Sequence, residues 1–369
     1  MMKIKVLGAG REVGRSCILV ESDRRIVMDC GVKLPVFMNA LTMELAALLV
    51  KDSMKVAKMQ GYGTPYGIQD FKRFMKNSKP VNYGEKFMSC RLYDAGHIPG
   101  SAGVMLEKER VFYTGDVQMA QSQLLSQAKL PEKCDTLIME STYGLRNHPL
   151  REQEERNLME SVEEAISKDE TALMPVFAVG RAQEVLMILK DYANKIALDG
   201  MTRTASEIIA EYGSYLKNPK EFRKVLKKVH IVKKGAERGK ILKKFPIIIA
   251  SAGMLGGGPA VDYLSKISHR EESKVLFTGF LVEESPGSNL IKTKIFENGR
   301  DKFDVTCELR QFNLSAHADR KGLFSIIEGL KPKNVLCVHG DSCGAFARDI
   351  HERYRINAFA PGNGEEVRL

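Results

Sequence analysis

The chain has 369 residues, 44% hydrophobic and 28% charged, with a formal net charge of +10. That length and balance suit two folded domains with a sizeable core and exclude a disordered or fibrous chain. No apolar run nears the roughly 20 residues of a membrane-crossing helix, and the start, Ile4-Lys5-Val6-Leu7, reads as a strand instead of a signal peptide. Seven cysteines are scattered without paired spacing and without a CxxC, which argues for reduced thiols in a cytoplasm and against a zinc ribbon.

Three regions separate on pattern. Residues 1–145 hold short β-type runs at Lys3–Leu7, Ser16–Glu21, Arg25–Asp29, Phe87–Asp94, Gly103–Leu106, Arg110–Tyr113 and Thr136–Glu140, punctuated by Gly and Asp. One amphipathic helix, Thr42–Gln60, interrupts them, with Leu45, Leu48, Leu49, Met54 and Val56 on its apolar face. Residues 146–308 alternate: helix Glu152–Lys168, strand Thr171–Phe177, helix Ala182–Ala193, helices Glu207–Leu216 and Glu221–Lys228, strand Pro246–Ala250, helix Pro259–Ser268 and strand Lys274–Phe280. Such alternation predicts an α/β domain on a parallel sheet. Residues 309–369 carry a histidine loop, helices near Lys321–Leu330 and Gly344–Tyr354, the strand Asn334–Val338 and a short tail. This stretch is too small to stand alone and is expected to complete the first domain's sheet.

Basic residues concentrate in Lys217–Lys244, including Lys224, Lys227, Lys228, Lys233, Lys234, Arg238, Lys240, Lys243 and Lys244. The segment suits a polyanion such as RNA, although a solvated helix face has the same composition.

Three candidate ligands end apolar runs: His97 in Asp94-Ala95-Gly96-His97, Asp116 in Tyr113-Thr114-Gly115-Asp116 and His339 in Cys337-Val338-His339-Gly340. A fourth segment, Ser315-Ala316-His317-Ala318-Asp319, adds a histidine suited to acid/base work. Taken singly, a His after a strand is usually a hydrogen-bonded loop residue. Together, imidazole nitrogens and a carboxylate on strand-end loops suit zinc, which lowers the pKa of bound water and steadies charge on phosphate oxygens.

Several further motifs occur in order. They are Gly10-Arg11-Glu12-Val13-Gly14-Arg15-Ser16-Cys17, Met28-Asp29-Cys30-Gly31, Ala95-Gly96-His97-Ile98-Pro99-Gly100-Ser101-Ala102-Gly103, Met139-Glu140-Ser141-Thr142-Tyr143-Gly144, Phe177-Ala178-Val179-Gly180-Arg181-Ala182-Gln183-Glu184 and Ser251-Ala252-Gly253-Met254. With the histidine segments, they resemble the β-CASP branch of the metallo-β-lactamase superfamily over nearly the whole chain, in particular archaeal relatives of the cleavage-and-polyadenylation endonuclease. The resemblance implies an αββα metallo-β-lactamase-like sandwich (1–145 and 309–369) with an inserted α/β β-CASP domain (146–308). It implies zinc-dependent hydrolysis of RNA in messenger 3′-end processing, and pairing as a homodimer. By the same resemblance His97 and His339 each bind one of two zinc ions and Asp116 bridges them. Glu140 is the family's acidic motif, His317 the general acid, and Asp29 a supporting residue. Arg181, Ser251 and Gly253 would hold backbone phosphates of RNA.

One departure stands out. From Met1 to Gly96 there is no histidine, and the family's His-x-His-x-Asp-His segment, due between Asp29 and the Thr42–Gln60 helix, is missing. Val32-Lys33-Leu34 runs straight into Pro35-Val36-Phe37, as if a block of a few tens of residues had been removed. Each zinc would then keep two protein ligands, where catalytic zinc normally has three. Two readings follow: a metallo-hydrolase that processes RNA, or an inactive RNA-binding subunit partnering an active paralogue.

Overall fold

A computed structural model describes every residue except 1, 14, 15, 30–35, 60 and 65. The join between Leu34 and Pro35, with motif residues Gly14, Arg15, Cys30 and Gly31, therefore lies outside the described residues. The chain divides into two compact units: Met1–Gln121, Ser126–Asn147 and Ala316–Leu369 form unit 1, and Ser122–Leu125 and His148–Ser315 form unit 2.

Unit 1 opens with strands β1 (Lys3–Gly8), β2 (Cys17–Glu21), β3 (Arg25–Met28) and β4 (Val36–Met38), then helices α1 (Ala40–Met59) and α2 (Ile68–Asn77). Strands β5 (Ser78–Pro80), β6 (Lys86–Phe87), β7 (Cys90–Asp94), β8 (Ala102–Leu106), β9 (Val111–Tyr113) and β10 (Thr136–Glu140) follow. The run expected over Phe87–Asp94 is split, because Met88 and Ser89 take φ of 46° and 60° and turn β6 back onto β7 as a hairpin.

Unit 2 holds α3 (Arg151–Ser167), β11 (Ala172–Pro175), α4 (Arg181–Ile188), β12 (Ile196–Asp199), α5 (Met201–Glu211), α6 (Pro219–Lys228), β13 (His230–Ile231), α7 (Arg238–Leu242), β14 (Ile247–Ala250) and α8 (Pro259–Ile267). It continues through β15 (Lys274–Phe277), α9 (Pro286–Thr293), the hairpin β16 (Ile295–Glu297) and β17 (Lys302–Asp304), and β18 (Glu308–Gln311). Its sheet, in the order β13-β12-β14-β11-β15-β18, is parallel throughout. Strands buried on both faces read as unbroken apolar runs, as in Ile247-Ile248-Ile249. The unit extends to Ser315 instead of ending near 308, because β18 pairs in parallel with β15. The helix expected over Glu207–Leu216 instead starts at Met201, where Gly200 has φ of 86° and Ser251 Oγ accepts the Met201 N–H at 3.2 Å.

The chain then returns to unit 1 with α10 (Arg320–Leu330), β19 (Asn334–Val338), α11 (Cys343–Tyr354), β20 (Asn357–Phe359) and β21 (Glu366–Arg368). The tail is therefore structured: β20 and β19 extend a seven-stranded sheet, β20-β19-β10-β9-β8-β7-β6, and β21 edges a four-stranded one, β21-β1-β2-β3. The two sheets meet through Ile4, Val6, Ile18 and Val20 on one side and Leu106, Val111, Ile138 and Leu336 on the other. The seven-stranded sheet's opposite face, with Phe112, Leu137 and Val335, packs on Leu323, Ile327, Phe346 and Ile350 of α10 and α11. Among the described residues no helix is long and apolar enough to cross a membrane.

Candidate metal centre

Strands β9, β10 and β19 pair in parallel, and β7 lies two antiparallel steps from β9, so all four point the same way. Their C-terminal ends share one sheet edge. There the loop after β7 presents His97, the loop after β9 presents Asp116, β10 ends on Glu140, and His339 follows β19 directly. Two glycines make the approach possible. A Cβ on Gly340 would sit 2.4 Å from Ser141 O, and one on Gly96, at φ of 67°, would sit 2.8 Å from Ala128 N and Gln118 O. His339 itself adopts φ of 51°, held by its N–H donating to Ala9 O at 2.8 Å. The loop ahead of α10 brings His317 to the same edge, stitched by Ala318 N–H to Val117 O (2.6 Å) and Gln118 Nε2 to His317 O (2.8 Å).

The three expected ligands and His317 converge. His97 Nε2 lies 3.8 Å from Asp116 Oδ2, and His339 Nδ1 lies 2.6 Å from Asp116 Oδ1. The ring centroids of His97 and His317 are 4.5 Å apart, those of His317 and His339 5.7 Å. Each of His97, Asp116 and His317 offers a donor atom within 4.8 Å of the other two.

Outer hydrogen bonds fix these rings. His97 Nδ1 donates to Ala316 O at 2.9 Å, which leaves the Nε2 lone pair towards Asp116. His317 Nδ1 is 2.9 Å from both oxygens of Glu140, which is 1% exposed. Glu140 is pinned in turn by the Val117 N–H at 2.6 Å and the Thr142 hydroxyl at 2.7 Å. Asp29, at the end of β3, accepts from the Tyr113 hydroxyl at 2.5 Å. Sequence reading had found Glu140 and Asp29 but not Thr142, the Val117 N–H or the Ala316 carbonyl, two of which are backbone groups.

Burial alone would raise the Asp116 pKa, but His339, His97 and His317 around it bring it down to about 2. Burial, with His317 beside it, holds the His97 pKa below its ordinary value and favours the neutral, ligating imidazole. Burial also opposes charge on His339, yet Asp116 overcomes this and raises its pKa. Burial raises the pKa of Asp29 despite the Tyr113 bond. A metal fits here on geometric grounds. One donor atom from each of His97, Asp116 and His317 already lies near enough to the others to share an ion, while His339 Nδ1 pairs with the second carboxylate oxygen at 2.6 Å.

The expected phosphate-holding residues all belong to unit 2. Arg181 opens α4 after Gly180, with its guanidinium beside Gly279. Ser251 and Gly253 lie just past β14; the Ser251 hydroxyl is engaged with Met201 N–H, and Gly253 is packed on Val176 and Phe177. In the basic segment, Lys224, Lys227, Lys228, Lys233, Lys234, Lys240, Lys243 and Lys244 are exposed. Arg238 is not part of that open face: its Nε bonds Asp199 at 2.8 Å.

Comparison with known proteins places this architecture. Residues 182–290 match the Beta-Casp domain, and residues 302–361 match the Zn-dependent metallo-hydrolase RNA specificity domain. The chain is 33% identical to the probable RNase MJ4 of Methanocaldococcus jannaschii, with all of both chains covered. It is 30% identical to the RNase aCSPSF2 of Saccharolobus solfataricus over 99% of this chain and 85% of that one. Identity to the transcription termination factor FttA of M. jannaschii is also 30%, over 100% of this chain and 72% of that one. A crystal structure of a protein of unknown function from Enterococcus faecalis V583 shares the fold at 12% identity, with a TM-score of 0.64 over all of both chains. The chain belongs to the β-CASP family of RNA-processing metallo-hydrolases, a metallo-β-lactamase fold with an inserted β-CASP domain. The alignment with RNase MJ4 spans 428 residues against 369 here, so that protein carries a few tens of residues without a counterpart in this chain.

Proposed function

We propose that this chain is an RNA-binding β-CASP protein whose reduced zinc centre hydrolyses phosphodiesters far more slowly than a complete family member does. One observation carries the reading: the described donors form a single three-membered group, His97, Asp116 and His317, and no histidine precedes His97 in the sequence. A bound zinc would supply an activated water and charge stabilisation at a phosphate. His97 would hold it through Nε2, its ring set by the Ala316 carbonyl, and Asp116 would offer the carboxylate. Arg181, Ser251 and Gly253 would take backbone phosphates, and the exposed lysines of 224–244 would draw the polyanion in. In the cytoplasm, pairing with an active paralogue would let such a chain contribute binding while its partner cuts.

The test uses a labelled single-stranded RNA with and without zinc. Affinity should fall steeply with added salt, as displacement of counterions from phosphates requires, and cleavage should stay near background. Absent or salt-indifferent binding removes RNA from the reading. Rapid zinc-dependent cleavage that disappears in Asp116→Asn restores the chain as a full enzyme.

A further inference from the structure

We infer that His317 is a metal ligand in this chain and that, with His97 and Asp116, it holds one divalent ion instead of two. The inference deepens the reading of the zinc centre and departs from the proton-donor role that family resemblance gives His317.

Donor number comes first. Shared between two ions, His97, Asp116 and His339 leave each with two protein ligands; gathered on one ion, His97, Asp116 and His317 supply three, the usual set of an open zinc site. Geometry agrees. The three donor atoms lie within 4.8 Å of one another, and nitrogen or oxygen ligands around a tetrahedral zinc are about 3.3 Å apart, so closing on an ion requires shifts of about an ångström. The far nitrogen of His317 is tied to a buried carboxylate, Glu140, and that of His97 to a backbone carbonyl. This is the support that metal-bound imidazoles carry, fixing tautomer and ring angle together.

A second, independent observation points to the same spot. His339 Nδ1 is buried and pairs with Asp116 Oδ1 at 2.6 Å, so the carboxylate is held with its other oxygen, Oδ2, towards His97. Two histidines and a carboxylate suit zinc first and cobalt as its spectroscopic substitute.

The test loads the whole chain with Co2+ and, separately, Zn2+, removes excess by dialysis, and reads metal per chain by mass spectrometry together with the visible cobalt bands. One ion per chain is expected. His317→Ala should weaken uptake by roughly 100-fold or more and alter the cobalt bands, and Glu140→Gln should weaken it about 10- to 100-fold. Metal-free His317→Ala is first checked against wild type by circular dichroism and unfolding midpoint, with His317→Gln used if it fails. Two ions per chain, none, or one ion held undiminished by the folded His317 variant would each overturn the inference. RNA binding is measured in parallel with chelator present. If RNA fails to bind while one ion does, the functional reading falls and this assignment stands.

Discussion

Buried charge is handled differently in the two units. In unit 2 the buried groups Glu184, Asp199 and Lys274 each have their complement. Glu184 receives Arg151 at 2.6 Å, the Ser122 hydroxyl at 2.8 Å and the N–H groups of Gln123 and Leu124 at 3.0 and 2.9 Å. Asp199 receives Arg238 and the Tyr263 hydroxyl, and Lys274, 1% exposed, lies between Glu164 and Glu308. In unit 1 three imidazoles crowd one carboxylate, the nearest of them at 2.6 Å. Saturated networks of the first kind hold a structure together, whereas a cluster of the second kind gathers the donor types that a cation takes.

That contrast is broken or sharpened by substitution. The largest effect should come from Glu184→Ala, which leaves the Gln123 and Leu124 N–H groups without their acceptor and Arg151 with Glu155 as its one carboxylate, and should cost unit 2 about 3–5 kcal/mol in denaturant unfolding. The same residue sets an acid limit. Burial pushes the Glu184 pKa up, but Arg151 and the hydrogen bonds more than offset this and hold it below its ordinary 4.5. Its stabilisation is therefore complete above 4.5 and lost as pH falls through the lower folded value. Glu184→Gln should flatten that limb of the stability curve, and an unchanged profile would contradict the argument. Gly340→Ala is next: a methyl 2.4 Å from Ser141 O should cost unit 1 about 3 kcal/mol and leave the unit 2 transition unmoved. Zinc at 100 times its dissociation constant should stabilise unit 1 by about 2.7 kcal/mol, a gain absent in Asp116→Asn. If zinc stabilises Asp116→Asn equally, the ion is bound elsewhere. Smallest is Thr142→Val, which removes one hydrogen bond to Glu140 and should cost about 1.5 kcal/mol with the zinc response retained but weakened.

What the sequence made legible follows from where the physical signal resides. Thr136–Glu140 and Ile247–Ala250 read as strands because burial on both faces leaves an unbroken apolar run. Helix α2 escaped because only Phe71 of its ten residues is buried. Strands β20 and β21 escaped because they are three residues each and depend on distant partners, β21 pairing with β1. The start of α5 was misplaced because its first N–H is met by Ser251, some fifty residues away. In the candidate centre, the residue types and their order were readable from motifs. Which nitrogen of each ring faces inward was not, because that depends on Ala316 O and on Glu140 as held by Val117 N–H and Thr142.

The division of unit 1 around an intact unit 2 has a temporal consequence. Strand β19, which seals one side of β10, and the segment bearing His317 both leave the ribosome after residue 315. A nascent chain halted within unit 2 has His97 and Asp116 in hand yet lacks His317 and His339. Only translation past both can bring the four side chains together, so the cluster cannot form until the inserted unit has already been made.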